Sequence, residues 1–274
     1  MEGYLRTIDS KKTGSIGHGL SEVWSYRELL YFLVWKELKI RYKQTMIGAA
    51  WAVLQPLIAM LIFWFVFGTI LDIETDIPYP IFAYSGLVIW IYFSTSLNQS
   101  SGAILNNAHL LTKVYFPRIL LPFSQCLVGI VDYIIASLIL VVLMVFFGIM
   151  PSLWLFLLII PFFLSILLVS GIGFWISSIS AKYRDVKYIT PFFVQLLLFV
   201  TPIIYPPTAI PSNLTWIITL NPLAGIIDAQ RAFVLGTGVV DWVALGYSML
   251  VSVAFFFFGI FYFTRHERQM ADVI

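Results

Sequence analysis

The sequence predicts an all-α membrane protein of six transmembrane helices, with an N-terminal amphipathic interface helix and short re-entrant helices before the last span. Three observations carry this. The chain is 60% hydrophobic and 11% charged over 274 residues, against roughly 25% charged in an average soluble domain. Its apolar residues fall into runs that can cross about 30 Å of hydrocarbon at about 1.5 Å per residue. Its Lys and Arg cluster in alternate connections between those runs.

In chain order, residues 1–20 show no apolar period and are expected to form a cytoplasmic tail. No secretory signal peptide is expected, because mixed polar sequence precedes the first apolar run and no small-residue cleavage pattern follows it. From Ser21 the pattern changes. Tyr31, Trp35, Leu38 and Tyr42 form one helical stripe, Lys36, Lys39 and Lys43 gather beside it, and Glu37 and Arg41 stand at i,i+4. Such a helix suits the headgroup region, aromatics in the interface and lysines toward anionic lipid. A solvated helix against a soluble partner is the alternative. Residues 1–46 thus form one unit, tail plus interface helix, and residues 47–274 the membrane domain.

The first span, 47–70, is free of charge and holds Pro56, expected to kink it. An acidic loop leads to a second span, 81–101, whose polar end (Ser94 to Ser101) is expected to face protein or a watery cavity. A polar connection, 102–118, has room for a short helix. The remaining spans are 119–147, 154–179, 189–205 and 242–263. Between the last two, Asn221 is placed to cap a helix with Pro222 at its first position, and Gly236 to end it. This segment carries Asp228 and Arg231 and is too short to cross, so it is read as re-entrant or interfacial.

With the N-terminus inside, fifteen of the sixteen Lys and Arg are cytoplasmic and only Arg231 is not. That satisfies the positive-inside rule and places both termini in the cytoplasm. Asp132 is the one charged residue well inside an apolar run. The residues favour a structural role for it, protonated or hydrogen-bonded to a neighbouring span, over a proton relay, since no second intramembrane carboxylate or histidine is available. Cys126 lies in an apolar run as a small core residue.

Catalysis finds little support. The sequence has no G-x-x-x-x-G-K-[ST], no HExxH and no G-x-S-x-G, and His18, His109 and His266 lie outside the spans. No metal site and no cofactor are expected in this chain.

Four stretches then carry a resemblance: RYKQTMIGAAWAVLQPL at 41–57, YRD at 183–185, TPIIYP at 201–206 and NPLAGIIDAQRAFVLG at 221–236. Together they resemble the permease subunit of ABC-2 type polysaccharide exporters, the family of O-antigen, teichoic acid and capsule permeases, over about residues 24–268. The resemblance implies a bacterial inner-membrane homodimer that binds two copies of a separate nucleotide-binding subunit, where ATP and Mg reside. The implied substrate is a lipid-linked glycan, O-antigen first, passed through a channel at the dimer interface; teichoic acid, capsule or a small hydrophobic molecule are alternatives. No nucleic-acid partner is implied.

Within that frame Arg41 and Lys43 stand at headgroup level and are candidates for admitting a lipid diphosphate, plain topology signals being the alternative. Aromatic rings stack on sugars, which makes Trp51, Trp64, Phe67, Tyr84, Trp90, Tyr92 and Phe93 candidates for the channel; a lipid-facing belt is the other reading. The 102–118 connection resembles a coupling helix, with Lys113, Tyr115, Phe116, Pro117 and Arg118 as contacts to the ATPase and Arg184 and Asp185 as a second set.

Overall fold

A computed structural model describes residues 24–43, 50–150, 153–236 and 240–267. The expected N-terminal tail, residues 47–49 at the start of the expected first span and Arg268 lie outside the described residues. The described chain is all helical. The interface helix is α1 (Arg27–Lys43); α2 (Ala50–Phe63) continues as a π-helical stretch, Trp64–Ile70. Then follow α3 (Tyr79–Asn106), the single turn α4 (Ala108–Leu111), α5 (Leu120–Phe146), α6 (Ile159–Lys182, led in by a 3₁₀ stretch from Leu153), α7 (Val186–Val200), α8 (Thr215–Thr219), α9 (Pro222–Leu235) and α10 (Trp242–His266).

Five of these segments are long and apolar enough to cross a membrane: Ala50–Ile70, Tyr79–Asn106, Leu120–Phe146, Leu153–Lys182 and Trp242–His266. The remaining expected span, 189–205, corresponds to α7, apolar but only 15 residues. It stops short of the expected 205 because Thr201 precedes Pro202, whose ring disfavours the helical conformation of the residue before it; Thr201 is extended at φ −90°, ψ 134°. The second span overruns its expected end by five residues, to Asn106. Its polar residues bond carbonyls of this chain, Ser101 to Asn98 O at 2.6 Å and Ser100 to Pro122 O at 3.0 Å, so the helix continues while buried. α2 runs on through Pro56, and the departure from α geometry comes later, at Trp64.

The centre of the bundle is α3, most of whose residues are buried between α5, α6, α7 and α9. Against α6 lies α10, at a crossing without side chains: a Cβ on Gly259 would collide with the Gly171 carbonyl, and one on Gly171 with the backbone at Phe255. Small residues at such crossings let helix backbones approach closely. Gly259→Leu is therefore expected to force α6 and α10 apart and cost about 3 kcal/mol or more, read as a lower midpoint in thermal unfolding of the purified protein. An unchanged midpoint contradicts this packing.

As the sequence suggests, α9 is built from its ends. Asn221 Oδ1 accepts from the Leu223 N–H at 3.0 Å, Pro222 occupies the first turn, and Gly236 closes the helix in the left-handed region at φ +63°. Leu223, Ile226, Ile227 and Phe233 are buried against the bundle.

Candidate functional site

α1 is held to the bundle at both ends. Its Leu33 packs among Ala103, Phe116, Leu120 and Leu121. Further along, Lys36 Nζ donates to Asn107 Oδ1 at 3.1 Å, and Arg41 donates to Gln99 Oε1. Bonding steps from Asn107 back to Gln99 as α1 advances from Lys36 to Arg41, so α1 runs antiparallel to this end of α3 and packs against α5.

At the lower end Asp132 of α5 takes two partners from α1. Its Oδ2 pairs with Arg41 and its Oδ1 accepts the Tyr42 hydroxyl. The Tyr42 pKa is pushed up, by burial first and by the bond to Asp132 second. The hydroxyl therefore remains a donor at physiological pH. A carboxylate in an apolar span needs such a partner, and the expected hydrogen-bonded role of Asp132 is what the structure holds, although the donors come from the interface helix. Arg41 is thereby committed to Asp132 and does not stand free at headgroup level. The expected Glu37–Arg41 pair is replaced too: Glu37 sits 3.6 Å from Lys36. Lys43 is exposed.

Two cavities of about 590 Å³ meet at this cluster. One is apolar-walled, bounded by Trp51, Pro56, Val88, Ile91 and Ala136, with Arg41, Tyr42, Gln99 and Asp132 at its polar end. The other, toward the Asn107 end of α3, is polar and bounded by Lys36, Glu37, Asn106, Asn107, His109 and Gln125. Arg41 and Gln99 border both. Gln125 was not singled out by sequence reasoning, which placed Gln99 in the polar end of the second span and Tyr42 on the aromatic stripe of α1 without linking either to Asp132. The signal available was the cost of Asp132, which requires a donor without naming it.

Of the candidate channel aromatics, Tyr84, Trp90, Tyr92 and Phe93 are core residues of this chain, none more than 6% exposed. That corrects their placement on a path between two copies: they point into α3's own packing, where Tyr92 sits edge-on to Tyr133 and Phe162, which stack at 3.7 Å. Tyr92 reaches the edge of the apolar cavity. Trp51 and Trp64 are exposed, and Phe67 is half-buried against Phe63.

The coupling candidates divide in the same way. Lys113 and Tyr115 are exposed, whereas Phe116 and Pro117 are buried. Phe116 anchors the connection beneath Leu33 of α1 and cannot reach into another protein as placed. Arg118 is tied down as well, its backbone N–H donating to Glu267 Oε1 at 2.7 Å and its Nη1 to the Glu267 carbonyl at 2.9 Å. Arg184 and Asp185 are exposed, and nearby Lys187 donates to Asn106 at 2.9 Å, which brings the two polar connections together.

Arg231, the cation that broke the charge asymmetry, is a buried structural clamp. Only 5% exposed, it donates to Pro202 O at 2.7 Å and Ile203 O at 2.8 Å and lies 3.7 Å over the Phe82 ring. It satisfies carbonyls freed where α7 breaks off. Gln230 beside it donates to Ser85 O at 2.7 Å, and Asn221 Nδ2 donates to Thr201 Oγ1 at 2.8 Å. Asp228 is half-buried on the same helix.

An all-helical bundle with five apolar helices long enough to cross a membrane, a clasped N-terminal helix and broken helices before the last of them defines a multi-pass membrane protein. More particularly, residues 28–235 match the ABC-2 type transporter family, and the chain belongs to it. Among its relatives is an O-antigen export system permease protein, RfbA, of Klebsiella pneumoniae, 28% identical over 90% of this chain and 95% of the relative. The protein of the same description from Myxococcus xanthus is 28% identical over 92% and 98%. The polysialic acid transport protein KpsM of Escherichia coli is 27% identical over 86% and 93%.

Proposed function

We propose that this chain is the permease subunit of an ATP-driven exporter that moves a lipid-linked polysaccharide, O-antigen in the first instance, across the bacterial inner membrane. The observation that carries this reading is the extent of the similarity: relatives named for O-antigen export align over at least nine-tenths of both chains. The relative named for polysialic acid keeps an anionic capsule-type polymer as a second reading.

On this reading both termini are cytoplasmic, α7 completes a sixth crossing, and α8 and α9 form a re-entrant pair before α10. Two copies enclose the path, and each engages one ABC subunit that binds ATP and Mg. The exposed residues Lys113, Tyr115, Arg184 and Asp185 supply the contact, with Phe116 and Pro117 as its buried support. Exposed Trp51 and Trp64 and half-buried Phe67 are the aromatics that remain available to the path. Arg41 takes part in substrate admission only by exchanging Asp132 for a diphosphate, which leaves Lys43 as the first point of contact.

The test is deletion of the gene followed by complementation. Lipid-linked glycan is expected to accumulate on the cytoplasmic side and surface glycan to disappear, both restored by the intact chain. Unchanged surface glycan without accumulation contradicts the proposal.

A further inference from the structure

The two cavities that meet at Arg41 and Gln99 have the form of one amphiphile site lined by a single chain. The apolar cavity runs along α3 from Gln99 to Val88, eleven residues or about 16 Å of helix. That is about half of a ~30 Å hydrocarbon core, the depth of one leaflet. The polar cavity continues from Gln99 to Asn107, where a headgroup belonging to that leaflet would sit. A polar chamber stacked on a mainly apolar chamber of one-leaflet depth, whose walls also carry Gln55 and Thr95, matches one lipid, head toward Asn107 and chain toward Val88.

The charges select the head. Besides His109, the ionic groups lining the two cavities are two cations, Lys36 and Arg41, and two carboxylates, Glu37 and Asp132. Arg41 and Asp132 neutralise one another. Lys36 and Glu37 stand 3.6 Å apart with side chains 41% and 22% exposed, a loose surface pair worth little by itself. Glu37 can turn to a new partner at small cost, and the Lys36 ammonium, with three N–H donors, can take one while keeping its bond to Asn107. A head with both a phosphate and a primary ammonium complements that pair; a purely anionic head leaves Glu37 opposed to it. We propose that the site holds a resident zwitterionic phospholipid of the phosphatidylethanolamine class, its phosphate toward Lys36 and its ammonium toward Glu37. The lipid fills the space between α1 and the spans, and so supports the Arg41–Asp132 clasp from below.

The experiment uses the full chain in vesicles of equal phosphatidylethanolamine and phosphatidylglycerol. Trp51→p-benzoylphenylalanine places a photoreactive ring at the cavity rim, and Phe146→p-benzoylphenylalanine, on the exposed flank of α5, samples bulk lipid. The Trp51 adducts are expected to favour phosphatidylethanolamine by roughly fivefold over the Phe146 adducts, which is about 1 kcal/mol. Glu37→Gln should bring that ratio down to the bulk value. A bulk ratio at Trp51, a preference for phosphatidylglycerol, or a preference that survives Glu37→Gln overturns the assignment. Native mass spectrometry of the unlabelled chain gives an independent readout: one retained phosphatidylethanolamine per chain, lowered in Glu37→Gln, is expected, and none retained overturns the proposal. Neither readout requires transport, so both stand apart from the exporter reading.

Discussion

Arg231→Met is expected to destabilise the protein by about 3–5 kcal/mol, the range for removing one side of a buried charged contact. The substitution keeps much of the side-chain volume but abandons two carbonyls, Pro202 O and Ile203 O, in a buried segment where neither can recover water. Each unsatisfied carbonyl costs about 1–3 kcal/mol, and the contact over Phe82 adds to the loss. Relief from burying a cation offsets part of the sum. Arg231→Lys should recover only part of the stability, because an ammonium lacks the planar fork that reaches both oxygens at once. The measurement is the thermal unfolding midpoint of each purified variant. Equal midpoints for wild type and Arg231→Met refute the clamp.

Arg41→Gln is expected to cost about 2 kcal/mol, less than a fully buried pair because both side chains retain some exposure, 23% and 15%. The damage comes from leaving the Asp132 carboxylate in a span with Tyr42 as its one remaining partner among the described residues. Asp132→Asn, which needs no cation, should cost less. The double variant should therefore be more stable than Arg41→Gln alone, and the cycle should yield a coupling of about 1 kcal/mol or more. Additive effects contradict a direct clasp. In cells, Arg41→Gln also tests whether the attachment of α1 to α3 and α5 matters for export, since this contact fixes the helix end that precedes the first span.

How much of this was legible in the sequence depended on whether a feature is local. The cap, first turn and left-handed end of α9 are all written within sixteen residues at Asn221, Pro222 and Gly236, and were found there. Asp132 was flagged by its cost in hydrocarbon, but its donors lie about ninety residues away on another helix, and no periodicity connects them. The aromatics show the same limit. Composition counts rings, whereas burial of Tyr84, Trp90, Tyr92 and Phe93 follows from α3 being surrounded by other helices. Two helix ends were displaced for physical reasons: apolar Ile203 and Ile204 prolonged the hydrophobic run past a proline-imposed stop, and Ser100 and Ser101 looked like a boundary while bonding carbonyls inside the bundle.

The charge asymmetry was informative because its exception had its own cause. Arg231 is consumed by backbone carbonyls, so it carries no weight as a topology signal. The remaining cations leave the proposed orientation consistent, and the exposed part of the two polar connections, Lys113, Tyr115, Arg184 and Asp185, lies where that orientation puts the ABC subunit.

The exporter reading is tested most directly by reconstitution. The chain, co-purified with its ABC subunit and placed in proteoliposomes loaded with lipid-linked glycan, is predicted to carry the glycan to the opposite leaflet only when ATP and Mg are supplied on the side that bears the ABC subunit. Transport without ATP, or transport driven by an imposed ion gradient, would contradict it.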